Sequence, residues 1–205
     1  NTLKHQPAKV AAMEGIWETE KGADLRLFGW PDEEEEVTKY NIVIPNGASW
    51  ILTHDPEGEI KGLKEWAKED RPPVAIVFWS FRIMVGIGMR MMLTGFAGAF
   101  LYWRKKLFTA RWFHLWSAVM MPSGFAAVLA GWFVTEVGRQ PWTVYGVLRT
   151  GESVSPVLPE YIAISLLIFI IAYIFIFGMG SYYILKLIGK GPRGQTVKDS
   201  FAESG

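Results

Sequence analysis

Three long stretches of the chain are apolar almost without interruption, and all lie beyond residue 71. Residues 74–103 carry only Arg82 and Arg90 as charges, while residues 112–135 and 161–185 carry no Asp, Glu, Lys or Arg. Crossing the hydrocarbon core of a bilayer takes about 20 apolar residues at a rise of about 1.5 Å each. Three such runs exceed what the core of a small soluble domain needs, so each is predicted to be a membrane-spanning helix. Aromatic residues mark their ends, among them Trp103, Trp112, Trp116, Tyr161 and Tyr183, as expected at the two membrane–water interfaces.

The first 71 residues follow another pattern. Gln6–Glu14 places Pro7 at the favoured first helical position and follows it with Ala8, Ala11 and Ala12, which predicts a helix that Gly15 ends. Tyr40–Ile44 alternates weakly and predicts a short strand closed by Pro45-Asn46-Gly47. Gly62–Glu69 predicts a short helix, and Pro72-Pro73 an extended entry into the first span. Asp32 and Glu33–Glu36 read as a solvated acidic loop. The fold class expected is all-α: an integral membrane bundle of three transmembrane helices, preceded by an extracytoplasmic loop segment. The boundary between the two parts falls between residues 71 and 72.

Charge gives the orientation. The chain is nearly neutral, at +1, but residues 1–71 hold nine Lys or Arg against fifteen Asp or Glu, whereas residues 72–205 hold twelve against five. That balance offers nothing to nucleic acid. The absence of Cys excludes disulfides, Cys-ligated zinc and thiolate chemistry. Arg104, Lys105, Lys106 and Arg111 cluster in one link, and the tail from Lys186 holds four bases to two acids. The positive-inside rule puts both in the cytoplasm, with 1–71 and 136–160 outside. The chain opens on Asn1 in this outer segment, with no span before it, so a piece of a longer membrane protein lacking its N-terminal part is expected.

Polar groups within the apolar runs carry the candidate chemistry. Placing an Arg at mid-membrane costs about 2.5–3.5 kcal/mol on the most lenient scale, so Arg82 and Arg90 require partners. For Arg90, pairing with an acid on another helix leads. Met84 alone reads as core filling. Gly88, Met91 and Gly95 share its helix face and would let a flat macrocycle approach, although close packing of small residues explains them as well. Glu136 ends the second span, Trp132 lies one turn before it, and Gly138-Arg139-Gln140-Pro141-Trp142 follows. An interfacial Glu–Arg pair and a functional site are evenly weighted there.

Three strings resemble subunit I of cytochrome bd-type quinol oxidases: Gln6-Pro7-Ala8-Lys9 with Glu14, Phe78–Gly86 (FWSFRIMVG), and Glu136–Trp142 (EVGRQPW). They occur in the family's order, and the resemblance runs over roughly residues 5–185, as in members with a short quinol-binding loop. It implies a terminal oxidase of the prokaryotic cell membrane that oxidises ubiquinol or menaquinol outside and reduces O2 to water. Such an enzyme generates a proton-motive force without pumping. The implied cofactors are a low-spin haem b, a high-spin haem b and a haem d, the last replaced by haem b in some members. The implied partners are the missing N-terminal half of the subunit, subunit II, a small accessory subunit and the lipid bilayer.

Residue by residue, the resemblance makes Met84 the axial ligand of the low-spin haem and Glu136 that of the high-spin haem b. Lys9 and Glu14 match residues of quinol oxidation. Arg82 and Arg139 match arginines near the haems, and Trp132 an inter-haem tryptophan. Arg139 is expected at a haem propionate rather than as a simple salt-bridge partner of Glu136. The family's histidine ligands lie on N-terminal helices, and His5, His54 and His114 do not match them. Helical geometry separates Arg82 from Met84 by about 200°, so Arg82 serves a haem edge or propionate by wrapping round or meets a different partner, and it separates Lys9 from Glu14 by about 140°, so they are not a simple i,i+4 pair. The rival reading is a non-enzymatic structural or transport subunit, with Arg82 and Arg90 lining an ion path.

Overall fold

The computed structural model describes residues 1–154 and 156–190. In chain order the elements are α1 (Thr2–His5), α2 (Pro7–Glu14), β1 (Glu20–Lys21), β2 (Leu25–Asp32), β3 (Val37–Ile44), α3 (Gly47–Thr53) and β4 (Glu59–Ile60). Two 3-10 turns, Leu63–Glu65 and Lys68–Asp70, lead into α4 (Val74–Trp103), α5 (Arg111–Met120) and α6 (Ser123–Glu136). A 3-10 turn (Val137–Arg139), the hairpin β5 (Trp142–Val144) and β6 (Leu148–Arg149), a last 3-10 turn (Thr150–Glu152) and α7 (Pro159–Lys190) follow. Asn1–Val154 form one compact unit, which does not divide at residue 71; α7 is described by itself.

The predicted helix at Pro7 forms, with proline at its start and Gly15 in the left-handed conformation at its end (φ 66°). Glycine serves a second purpose there. A Cβ at Gly15 would stand 3.0 Å from the Phe78 ring and from Thr38 Oγ1, so only a bare backbone lets the chain turn against α4. Ala11 and Ala12 of α2, Trp17, Leu63, and Val74 and Val77 of α4 make one buried cluster. Ile16, Ala23, Ala48 and Ile60 make a second beneath α3. The outer segment therefore has a core of its own, continuous with the first turns of α4.

The segment is less helical than its sequence suggests. Leu25–Asp32 pairs antiparallel with Val37–Ile44, with irregularities in register between Arg26 and Phe28 and between Phe28 and Trp30. Gly29 and Pro31 hide the first strand from a pattern reading, and the second begins three residues before Tyr40. Phe28 and Trp30 set their rings edge-on to Trp79, at 5.3 and 5.8 Å, which seats the hairpin on α4. Two 3-10 turns, broken by an extended Trp66, replace the helix expected over Gly62–Glu69.

The acidic run is not merely solvated. Asp32 accepts from the backbone of Glu34 and Glu35, and Lys39 bridges Asp32 and Glu35 at 2.9 Å each. Glu36 pairs with Arg71 at 2.8 Å. Glu33 accepts the Ala75 N–H at 2.9 Å, where the unpaired amides of a helix start favour an anion. Like charges are tolerated because Asp32, Glu33, Glu35 and Glu36 each find a base or a backbone donor.

The first run is helical over 74–103 as predicted, and the third is longer than predicted, reaching Pro159 and Lys190. The second is interrupted: Pro122 has no N–H to donate, and its ring excludes the carbonyl one turn back, so α5 stops at Met120 and α6 restarts at Ser123. Lys68–Trp103, Arg111–Arg139 and Pro159–Lys190 are each long and apolar enough to cross a membrane.

α4 and α6 pack along a seam of methionine against glycine. A Cβ at Gly131 would lie 3.0 Å from Met84 Sδ, and one at Gly124 would lie 3.4 Å from Met91 Cε. Seven residues forward on α4 match seven back on α6, as in two antiparallel helices near the heptad spacing. In the next layer the roles reverse, with Phe113 of α5 3.1 Å from the Cβ position of Gly98. Gly86, Gly88 and Gly95 have nothing within 4 Å of theirs. The face read from the sequence is thus split: Met84 and Met91 pack, and the glycines stay open.

Candidate functional site

Helix α2 lies against the N-terminal end of α4 and the turn that follows α6, and presents Lys9 to one and Glu14 to the other. Both side chains are buried, Lys9 at 7% exposure and Glu14 at 5%. The five-residue spacing sends them apart, as the helical angle requires.

Lys9 reaches the end of α6. Its Nζ donates to the Thr135 carbonyl at 3.1 Å, and its methylenes lie along Gly138, whose Cβ would stand 3.2 Å from Lys9 Cγ. Burial, reinforced by the charge of Arg139 and opposed by Glu136, holds the Lys9 ammonium below its usual pKa. Lys9 lines an open groove of about 410 Å³ together with His5, Gln6, Met13 and Thr135.

Glu14 faces two arginines. Its Oε2 lies 3.7 Å from Arg82 Nη2, and its backbone carbonyl accepts from Arg26 Nη1 at 3.4 Å. Burial raises its pKa above the usual carboxylate value, and the charges of Arg82 and Arg26 oppose that rise. Glu14, Arg26 and Arg82 line a cavity of about 490 Å³ whose remaining walls are largely apolar, with Val10, Phe81 and Met89 among them. Glu14 Oε2, Arg26 Nε and Arg82 Nε are buried and have no hydrogen-bond partner among the described residues. Thr2 and Met13 line both this cavity and the Lys9 groove. Arg26 is the functional candidate that the sequence reading passed over. Its signal was faint: a single base between apolar residues in a strand that the pattern did not reveal.

Arg82 is committed to protein partners. It donates to the Met13 carbonyl at 2.6 Å, to the Phe78 carbonyl at 3.1 Å and to the Arg26 carbonyl, and its guanidinium stacks over the Phe78 ring at 3.3 Å. Where the sequence placed it near a haem, the structure turns it onto α2 and β2, while Met84, two residues on, turns to α6. Arg90 is exposed and has no ion pair among the described residues.

Glu136 and Arg139 lie together at the end of α6. They form a salt bridge at 2.5 Å, with side-chain exposures of 43% and 36%, because the 3-10 turn after Glu136 folds Arg139 back over it. Trp132 is 59% exposed. Lys9 and Arg139 make the end of α6 a positive setting for one carboxylate.

Among the described residues no group of three or more His, Asp or Glu could enclose a metal ion. The remaining candidate donors are of another sort: the thioether of Met84, packed against α6, and the carboxylate of Glu136, paired with Arg139; each could give one bond to the iron of a flat macrocycle. Met84 stands at the edge of the packed seam, one turn from Gly88, around which space is free. Open space one turn from a thioether, with a carboxylate at the end of α6, is a donor set that fits haem.

Residues 1–192 match the family described as cytochrome bd terminal oxidase subunit I. The cytochrome bd ubiquinol oxidase subunit 1 of Bacillus subtilis is 36% identical over 200 residues, covering 92% of this chain and 43% of that protein. A putative cytochrome bd menaquinol oxidase subunit I of the same organism is 33% identical over 156 residues, covering 74% of this chain and 34% of that one. The solved bd oxidase of Geobacillus thermodenitrificans superposes with a TM-score of 0.74 at 30% identity, over 93% of this chain and 44% of that chain. The chain thus spans less than half the length of these relatives.

Proposed function

The chain belongs to the cytochrome bd terminal oxidase subunit I family, and from that premise we propose that it is the quinol-oxidising, haem-holding part of a respiratory oxidase that reduces O2 to water. The observation that carries the reading is the cavity in which Glu14, Arg26 and Arg82 meet apolar walls. A quinol is an apolar ring with two hydroxyls. It needs hydrophobic walls, a base for its protons and fixed positive charge to keep that base ionised. Burial makes Glu14 a stronger base than an exposed carboxylate, and the two arginines keep the ionised form accessible. Lys9 serves quinol oxidation from the adjoining groove.

Met84 and Glu136 would hold the low-spin haem b and the high-spin haem b, with Trp132 and Arg139 beside the second and Arg82 between quinol cavity and Met84. When bound, the haems supply one-electron acceptors and the site of O2 reduction; a third macrocycle, haem d or haem b, completes the set. Arg139 holds Glu136 until iron competes for it. The complex includes the N-terminal half of subunit I, subunit II and a small accessory subunit. It lies in a prokaryotic cell membrane, with residues 1–71 outside and the C-terminus in the cytoplasm. Because both Nη groups of Arg82 donate to protein carbonyls, it is poorly suited to line an ion path, which weighs against a transport subunit.

Substitutions in the complete oxidase test the reading. Glu14→Ala and Lys9→Ala should impair quinol oxidation while the reduced-minus-oxidised haem spectrum persists. Met84→Leu preserves volume, with a packing change below about 1.5 kcal/mol, yet should abolish the low-spin signal. Glu136→Gln should deplete or alter the high-spin haem b. Wild-type quinol kinetics in Glu14→Ala together with unchanged spectra in Met84→Leu and Glu136→Gln would overturn it.

A further inference from the structure

A base sealed inside a protein must pass its proton on before it can act again. Glu14 is 5% exposed, so it cannot release a proton directly into bulk water. The groups around it are ordered. Arg82 of α4 lies on one side, with a 3.7 Å contact to the carboxylate. Arg26 of β2 lies on the other, with one Nη on the Glu14 carbonyl at 3.4 Å and its other Nη 3.5 Å from Glu20 Oε1. On its own helix the nearest base is Lys9, which faces α6.

The row Arg82, Glu14, Arg26, Glu20 therefore alternates in charge from α4 to the end of β1. Each of the four contributes a buried polar atom without a hydrogen bond: Arg82 Nε, Glu14 Oε2, Arg26 Nε and Glu20 Oε1. Contacts of 3.5–3.7 Å between charged groups are longer than strong hydrogen bonds, and the unpaired buried atoms along the row are ones that ordered water would satisfy. Glu20 straddles the boundary, with Oε1 buried beside Arg26 and its side chain as a whole 41% exposed.

We propose that Glu20 is the exit acid for the proton that Glu14 takes from quinol, and that Arg26 is the positioning residue that aligns the two carboxylates. This rests on the quinol reading of the cavity. In the step, a quinol O–H bond breaks and its proton forms an O–H bond on Glu14. The proton then crosses by water to Glu20 and leaves to the outside, which returns Glu14 to its ionised form. Each quinol gives up two protons and two electrons; the oxidant is the ferric haem iron of the proposed oxidase. The guanidinium of Arg26 stays protonated throughout and fixes geometry and charge.

The test uses the complete oxidase, a water-soluble quinol, and Glu20→Gln, Glu20→Asp, Arg26→Lys and Arg26→Met. Glu20→Gln should lower kcat by about tenfold, less than the roughly 100-fold or more contributed by a group that exchanges a proton with the reacting atoms themselves, with KM within about twofold. Its solvent isotope effect in D2O should rise, its haem spectrum should not change, and millimolar formate should restore part of the rate. Glu20→Asp and Arg26→Lys should recover more rate than Glu20→Gln and Arg26→Met. Glu18→Gln removes a nearby surface carboxylate paired with Lys64 and should leave kcat unchanged. If Glu14→Gln is impaired while Glu20→Gln keeps a normal kcat and isotope effect, the exit route is wrong and the cavity reading stands. An equal fall in Glu18→Gln would assign the effect to surface charge and overturn the route. Full activity of Glu14→Gln would remove the cavity reading, and the route with it.

Discussion

Arg82 and Met84 stand two positions apart on α4 and face opposite partners. The helical angle already implied that divergence, and so did the five-residue spacing of Lys9 and Glu14. What those angles face was not legible, because the partners come from Met13, Arg26 and Thr135, distant in sequence. Arg139 shows the reverse. A motif match directed it away from Glu136, yet three residues of 3-10 turn fold it back onto that carboxylate. Glu14 gives the residue-scale prediction. Its pKa is raised in the folded protein, so its protonated form favours folding. The resulting stability is complete below the ordinary carboxylate range and is lost as pH rises through the raised value. Thermal unfolding of the complete complex at pH 5 and pH 8 should therefore show a loss at the higher pH that shrinks in Glu14→Gln. An undiminished loss would place the titration elsewhere.

Periodicity and length identify the elements that bury one kind of surface, which is why the three spans and α2 are readable from the chain. Elements held by pairing are harder to see. Leu25–Asp32 becomes a strand through Val37–Ile44, and nothing in its own irregular alternation says so. Pro122 is plain in the sequence, but an unbroken absence of charge over 112–135 outweighed it, and the break between α5 and α6 follows from one missing N–H. The methionine–glycine seam is also an element-scale property, since neither helix reveals its register alone. Gly131→Leu should force Met84 off its site, at an overpacking cost of about 1–3 kcal/mol. In the complete oxidase it should shift the low-spin haem signal although the ligand itself is untouched. A native spectrum in that variant would separate Met84 from the haem.

At the scale of the whole molecule, the split between an acidic first third and a basic remainder carries the proposed orientation across a membrane. Tyr40 is 82% exposed on the hairpin, and Lys106 lies in the basic link. Tyr40→Cys should label with a membrane-impermeant thiol reagent added outside intact cells, and Lys106→Cys should not; the opposite pattern would invert the topology. One feature of the fold also bears on biogenesis. The carbonyls that accept from Arg82 belong to Met13 and Arg26 as well as to its own helix, and both are synthesised before α4 emerges. A guanidinium delivered into lipid alone would carry its full insertion penalty. With the preceding segment already folded, the same guanidinium meets its acceptors on arrival. The first span is therefore not a self-sufficient membrane anchor: its lasting insertion is conditional on the residues that precede it.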